Sequence, residues 1–270
     1  MSDIHADPEA ISTITRLGRD LKLAAVELGP RQARYLVDAY YAIQEERMRY
    51  DKQSTDLGAE PHALIDYLGE QARVLENQIR LALDHWTRLD PVSIWARSIV
   101  GIGPVISAGL RAHIDITRAP TAGHIWSFAG LVPGVKWEKG QKRPWNAGLK
   151  TLCWKAGESF VKTCNHKDSY YGRVYAERKQ LEIKRNDSGE LAAQAAERLP
   201  SYKRASVSRA ALEAGKLSDG MIHARARRYA VKLFLAHYHE VAYKHHYKET
   251  PPNPYPIAIL GHVHRIPPPS

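Results

Sequence analysis

Cysteine is nearly absent from this chain of 270 residues: Cys153 and Cys164 are the only two, and they form no close pair. That argues against a disulfide scaffold and against a cysteine-built zinc site. A reduced, cytoplasmic protein is the expectation. Long apolar runs are lacking as well. No stretch approaches the ~18 residues that a membrane span needs, so no membrane partner is expected. Met1 to Glu9 is acidic and polar, without the basic-then-apolar order of a signal peptide. Internal repeats and βαβ patterning are missing too. Positive charge is scarce only at the front. Residues 1–90 hold 11 Lys and Arg against 16 Asp and Glu, a net of −5, whereas residues 91–270 hold 28 against 13, a net of +15. A basic segment of that strength favours a polyanion through counterion release, or else is a solvated surface.

What is present is helical periodicity, and it predicts an all-α fold. Ile11, Ile14, Leu17, Leu21 and Ala25 recur at steps of three and four, and Gly29-Pro30 ends that helix. A second helix spans about 31–52, with Tyr35, Leu36, Ala39, Tyr40 and Ile43 on its apolar side. A third carries Leu64, Leu68, Ala72, Leu75, Ile79, Ala82, Leu83 and Trp86. Residues 1–90 therefore read as an acidic helical hairpin or coiled-coil arm, either a plain bundle or a surface for a homo-oligomer. Asp90-Pro91 marks a boundary, because proline suits a first helical turn. Residues 91–165 follow as a helix-hairpin-helix domain and residues 166–250 as a basic helical extension. Helices are expected over 170–185, 190–199 and from the Ser218 N-cap to about His246. Residues 251–270 hold seven prolines and read as an extended tail.

The sharpest local signal is Val100-Gly101-Ile102-Gly103-Pro104, set between a helix at 92–100 and another at 105–113. Glycine tolerates positive φ and lets backbone approach a ligand closely. A helix that starts there offers free N–H groups and a positive dipole end, which together suit phosphate. Ile102 is expected to turn inward and pin the hairpin. Such a site reads backbone and not base sequence. A glycine-rich corner without a ligand is the plainer alternative. A dinucleotide-binding loop fits less well, since Ile106 stands where that pattern needs glycine and no strand precedes.

Three motifs follow one another in order: Val100 to Ala108, then Asp115-Ile116-Thr117-Arg118, then Ala129-Gly130-Leu131-Val132-Pro133. Over about residues 97–150 this resembles the C-terminal domain of the serine-type insertion-sequence transposases, the bridge-RNA-guided recombinases. The resemblance implies a DNA-binding protein acting in transposition or recombination of a mobile element or phage. It also implies a catalytic serine in the loop after Leu131-Val132-Pro133 and an upstream acidic, strand-built metal-binding domain. This chain departs on both counts. Val135 to Gly140 contains no serine, residues 1–90 are helical in pattern, and the family's Gly-Asn pair near Lys142–Leu149 is not reproduced. No catalytic residue, metal ligand or cofactor is assigned. Three readings stay open: a DNA-binding protein without a complete catalytic site, a recombinase completed by a separate catalytic subunit, and a helical scaffold free of nucleic acid.

The candidate DNA-binding residues are Gly101, Ile102, Gly103, Arg118, Lys136, Trp137, Lys139, Lys142, Arg143 and Lys150. Cations interleaved with Trp137 and Trp145 suit phosphate and base stacking, of DNA or of structured RNA. The plainer alternative is a solvated loop whose tryptophans pack on the core. Arg225, Arg227, Arg228 and Lys232, with Lys203, Arg204 and Arg209, form either a second basic surface or a solvated helix face. His237, His239, His245, His246, His262 and His264 gather late, but no carboxylate or cysteine completes a metal set.

Overall fold

The computed structural model describes residues 18–56, 58, 63–135, 137–252 and 266–269. Among them every regular element is a helix, so the fold is all-α as the spacing predicts. No helix of the described residues is long and apolar enough to cross a membrane. Two compact units interleave in sequence. One takes residues up to Arg97 together with Gly103–Asp115, and the other takes Ser98–Ile102 together with Ile116 onward.

The first unit is built from α1 (Arg19–Val26), α2 (Pro30–Asp56), α3 (Ala63–Thr87), α4 (Pro91–Ser98) and α5 (Pro104–His113). Polar bridges fix the pairing of α2 and α3. Arg47 meets Glu76 at 2.6 Å, Arg73 meets Asp51 at 3.0 Å, and Ser54 donates to Asp66 at 2.8 Å. Numbers rise on one helix as they fall on the other, so the hairpin is antiparallel. Its base is buried through Ala33, Val37, Ile79, Leu83 and Trp86, where α5 packs on both helices. Toward the tip Leu64, Leu68 and Leu75 stay exposed. On α2 Ala33 and Val37 take the innermost positions, Leu36, Ala39, Tyr40 and Ile43 of the predicted stripe are half-buried, and Tyr35 is 72% exposed. Asp90 caps α4 as its Oδ2 accepts from the Ser93 N–H at 2.8 Å, with Pro91 in the first turn. Buried Asp84 accepts from both Arg88 and Arg97. The periodic segment before Arg19, with Ile11, Ile14 and Leu17, lies outside the described residues.

The second unit holds α6 (Ala122–Phe128), α7 (Ala147–Lys162), α8 (Tyr170–Asp187), α9 (Ala192–Arg198), α10 (Val207–Glu213) and α11 (Asp219–Tyr247). Ser218 starts α11 as predicted, with Asp219 in its first turn and Lys244, His245 and His246 in its last, which suits the helix dipole. α11 packs against α6, α7 and α8. Phe160, Tyr171 and Phe234 form an aromatic core with ring centroids 5.0 to 5.4 Å apart. The Tyr171 hydroxyl meets His237 Nδ1 at 2.7 Å, and His237 Nε2 donates to the Ile266 carbonyl at 2.8 Å. Leu191, Ala195, Leu212, Leu217 and Ile222 make a smaller core. Most of the proline-rich tail, with His262 and His264, lies outside the described residues.

Candidate nucleic-acid interface

The two hairpin glycines differ. Gly101 has a φ of +97°, and a β-carbon built on it would lie 2.9 Å from Ser159 Oγ. Ser159 donates to the Gly101 carbonyl at 2.6 Å, and the Ile102 N–H donates to the Ile99 carbonyl at 2.9 Å. Ile102 is buried, in the inward position expected of it. Gly103 has an ordinary extended backbone, φ −87° and ψ −179°, and its missing side chain faces open space. Positive φ is thus needed at the first glycine only. Gly103 leaves the start of α5 uncovered: Pro104 has no N–H, the Ser107 N–H already bonds the Gly103 carbonyl, and no side chain caps the turn.

Arg118 is exposed at the end of a short 3-10 turn, Ile116–Arg118. After α6 the chain turns at Gly130, φ +65°, where a β-carbon would strike the Trp145 ring at 2.8 Å. The Asn146 N–H bonds the Phe128 carbonyl at 2.8 Å, and Asn146 Oδ1 caps α7 by accepting from the Leu149 N–H at 2.7 Å. Lys150 Nζ sits 4.1 Å from the centre of the Trp145 ring. These contacts close the base of a loop spanning residues 131–145, and they give Trp145 a packing role. Lys139, Lys142 and Arg143 are exposed on this loop, and Lys150 is exposed on α7. Trp137 is also exposed. Its indole N–H donates to the Gln141 carbonyl at 2.8 Å, and Arg143 lies 4.9 Å from its ring centre. Among the described residues Arg118, Lys139, Lys142, Arg143 and Lys150 have no carboxylate partner. Lys136 lies outside the described residues.

Sequence reasoning passed over Trp154. It lies one helical turn from Lys150 on α7 and is 49% exposed, with Arg227 5.5 Å and Lys155 6.0 Å from its ring centre. The signal was available: Leu149, Leu152, Cys153, Ala156 and Phe160 form the apolar stripe of that helix, and Trp154 falls outside it. An exposed ring flanked by cations can stack on a base.

The C-terminal cations are treated unequally. Arg225 bonds Glu182 at 2.9 Å and Gln194 at 2.6 Å, Arg227 pairs with Glu158, and Arg209 bonds Glu213 at 2.7 Å. Lys203 and Arg204 are exposed. His239 is buried and donates through Nε2 to the Ala119 carbonyl at 2.8 Å. Burial, and secondarily the charge of His124, hold its pKa below the usual histidine value. Among the described residues no His, Cys, Asp and Glu side chains converge as metal ligands. Ser159 is engaged with Gly101, and Ser127 is exposed.

Residues 95–152 match the model of the Transposase IS116/IS110/IS902 family. The matched segment runs from the end of α4 to the first turns of α7, so it takes in both hairpin glycines, Arg118 and the basic loop. It is a transposase-related segment within a longer chain. No curated protein and no solved structure gives a significant match.

Proposed function

We propose that this protein binds DNA through the transposase-related segment, taking the phosphate backbone on Arg118, Lys139, Lys142, Arg143 and Lys150; the open start of α5 is a phosphate contact in its own right. The observation that carries this reading is that the family match and five exposed cations without carboxylate partners fall within the same 58 residues, 95–152. Cations of this kind release counterions on binding and position a duplex without reading its sequence. Trp137 and Trp154 offer ring faces to unpaired bases. The role that follows is in transposition or recombination of a mobile element or phage. The order of the three motifs allies the segment with the serine-type, bridge-RNA-guided branch. A serine–DNA link has no nucleophile between Val135 and Gly140, however, so strand chemistry is assigned to another chain.

The test is duplex binding by the full chain as a function of salt. Affinity should fall steeply between ~50 and ~200 mM salt, and Lys139→Ala should lower the slope by about one contact. A flat salt dependence, or no binding at low salt, refutes the reading. Incubation with supercoiled DNA and Mg²⁺ should yield neither nicks nor a covalent adduct. Cleavage abolished by one substitution in this chain would favour the complete enzyme instead. A structured RNA of equal length, bound more tightly than duplex at matched salt, would move the substrate from DNA to RNA.

A further inference from the structure

We propose that Arg198, Arg228 and Lys232 form a second phosphate-binding strip, outside the transposase-related segment, that takes the backbone of a nucleic-acid strand.

Residues 198–232 contain nine Lys and Arg against two acids, Glu213 and Asp219. The fold then neutralises some of these cations and not others. Arg225 and Arg227 are paired with Glu182 and Glu158, Arg209 with Glu213, and Lys216 with Asp187 at 2.8 Å. Among the described residues Arg198, Arg228 and Lys232 have no carboxylate partner.

Their arrangement follows from the helices. The 2.6 Å bond from Arg225 to Gln194 ties α11 to α9. One turn further along each helix come Arg228 and Arg198, and Arg198 acts on Arg228 as a like charge. Lys232 follows Arg228 at i+4, about 6 Å along the axis. Its stem is held by α6: the Trp126 indole N–H donates to the Lys232 carbonyl at 2.9 Å, and Nζ sits 4.2 Å from the Trp126 ring centre. The result is three neighbouring cations, with Lys232 held against Trp126.

Like charges crowd this strip. Arg228 is held below the usual arginine pKa by desolvation first and then by Arg198, Arg225 and Arg227. Lys232 is lowered by desolvation first and then by Arg228. A bound anion offsets both penalties at once. A row of cations suits a repeating anion, and guanidinium forks suit phosphate oxygens. Nucleic acid supplies both features. An acidic protein surface is the competing occupant, and the experiment separates the two.

The experiment measures binding of a short fluorescein-labelled duplex, a single strand of the same sequence and polyglutamate to the full chain. Three variants are compared: Arg228→Gln/Lys232→Gln, Arg198→Gln, and Arg228→Lys. The double variant should lower the salt slope for duplex or single strand by about two contacts and Arg198→Gln by about one. Arg228→Lys should stay close to the parent. Tm of the double variant should hold or rise, because like-charge repulsion is relieved. An unchanged slope for both nucleic acids overturns the proposal, and a lowered Tm with that unchanged slope marks these cations as structural. Polyglutamate bound as tightly as duplex at matched salt overturns it in favour of an acidic protein. A Lys139→Ala/Lys142→Ala variant separates this strip from the loop. Loss with the strip variant alone upholds the strip and refutes the loop reading, and loss with the loop variant alone does the reverse. No binding at low salt refutes both.

Discussion

Replacing Gly101 and Gly103 by alanine, one at a time, should give opposite outcomes although the two residues stand one position apart. At Gly101 the φ of +97° costs an L-residue about 1–3 kcal/mol. The new methyl would also start 2.9 Å from Ser159 Oγ and 3.3 Å from Thr163 Oγ1. Ser159 must turn away and give up its bond to the Gly101 carbonyl, a further loss of about 1 kcal/mol. The expected total is about 2–4 kcal/mol. At Gly103 the backbone is extended and no atom lies within 4 Å of the added carbon, so alanine should be neutral or gain about 0.4–1 kcal/mol from the unfolded state. Urea unfolding followed by tryptophan fluorescence reads both. A double-mutant cycle sharpens the result: in a Ser159→Ala background Gly101→Ala should cost about 1 kcal/mol less, since the bond and the clash are already gone. Equal losses at 101 and 103, or strict additivity with Ser159→Ala, would refute the reasoning. Binding supplies a second readout. Gly103→Val should keep its Tm and lose duplex affinity. Unchanged affinity would leave the hairpin with a packing role only.

Two further outcomes follow from buried groups. His113, His223 and His239 all have pKa values lowered from 6.5, by burial first in each case. The unfolded chain therefore takes up protons that the native state refuses, so Tm should fall as pH drops from 7 through about 6.5 and below. His239→Gln should flatten that fall, because its amide can still donate to the Ala119 carbonyl, and a pH-independent Tm across this window would refute the assignment. Asp84→Asn should cost about 2–3 kcal/mol in denaturant titration, because it leaves Arg88 and Arg97 without their shared buried carboxylate. A change below about 0.5 kcal/mol, the scale of an ordinary surface substitution, would mean that solvent replaces the pair.

Helix positions were largely legible in the sequence, for identifiable reasons. Asp90-Pro91, Asn146 and Ser218 each carry the side chain or ring that a helix start favours, and each does start one. α10 was not legible, because Leu212 is its one buried residue and Val207 is exposed, so no apolar period registers. Its marker was Ser206, whose hydroxyl accepts from the Arg209 N–H at 3.2 Å. The exposure of Tyr35 on α2 was not legible either. Which flank of a two-helix hairpin is covered depends on α5, which lies far along the chain and carries no local trace in α2. In the candidate interface, the inward turn of Ile102 could be read from Gly-Ile-Gly. The division of labour between its two glycines could not, since it rests on Ser159, 58 residues away. The packing role of Trp145 was likewise hidden, because it depends on the bare face of Gly130.

That separation also bears on the order in which the protein is made. The Gly101 turn takes its latch from Ser159, and the helix carrying Ser159 emerges from the ribosome well after the turn itself. At ordinary synthesis rates of ~5–20 residues per second, 58 residues correspond to roughly 3–12 s. Throughout that interval the nascent chain holds the paired glycines without the hydroxyl that fixes the first of them. The helix that opens at Gly103, by contrast, packs with α2 and α3, which are already synthesised. The two ends of one short turn are therefore completed at different times, the downstream end first.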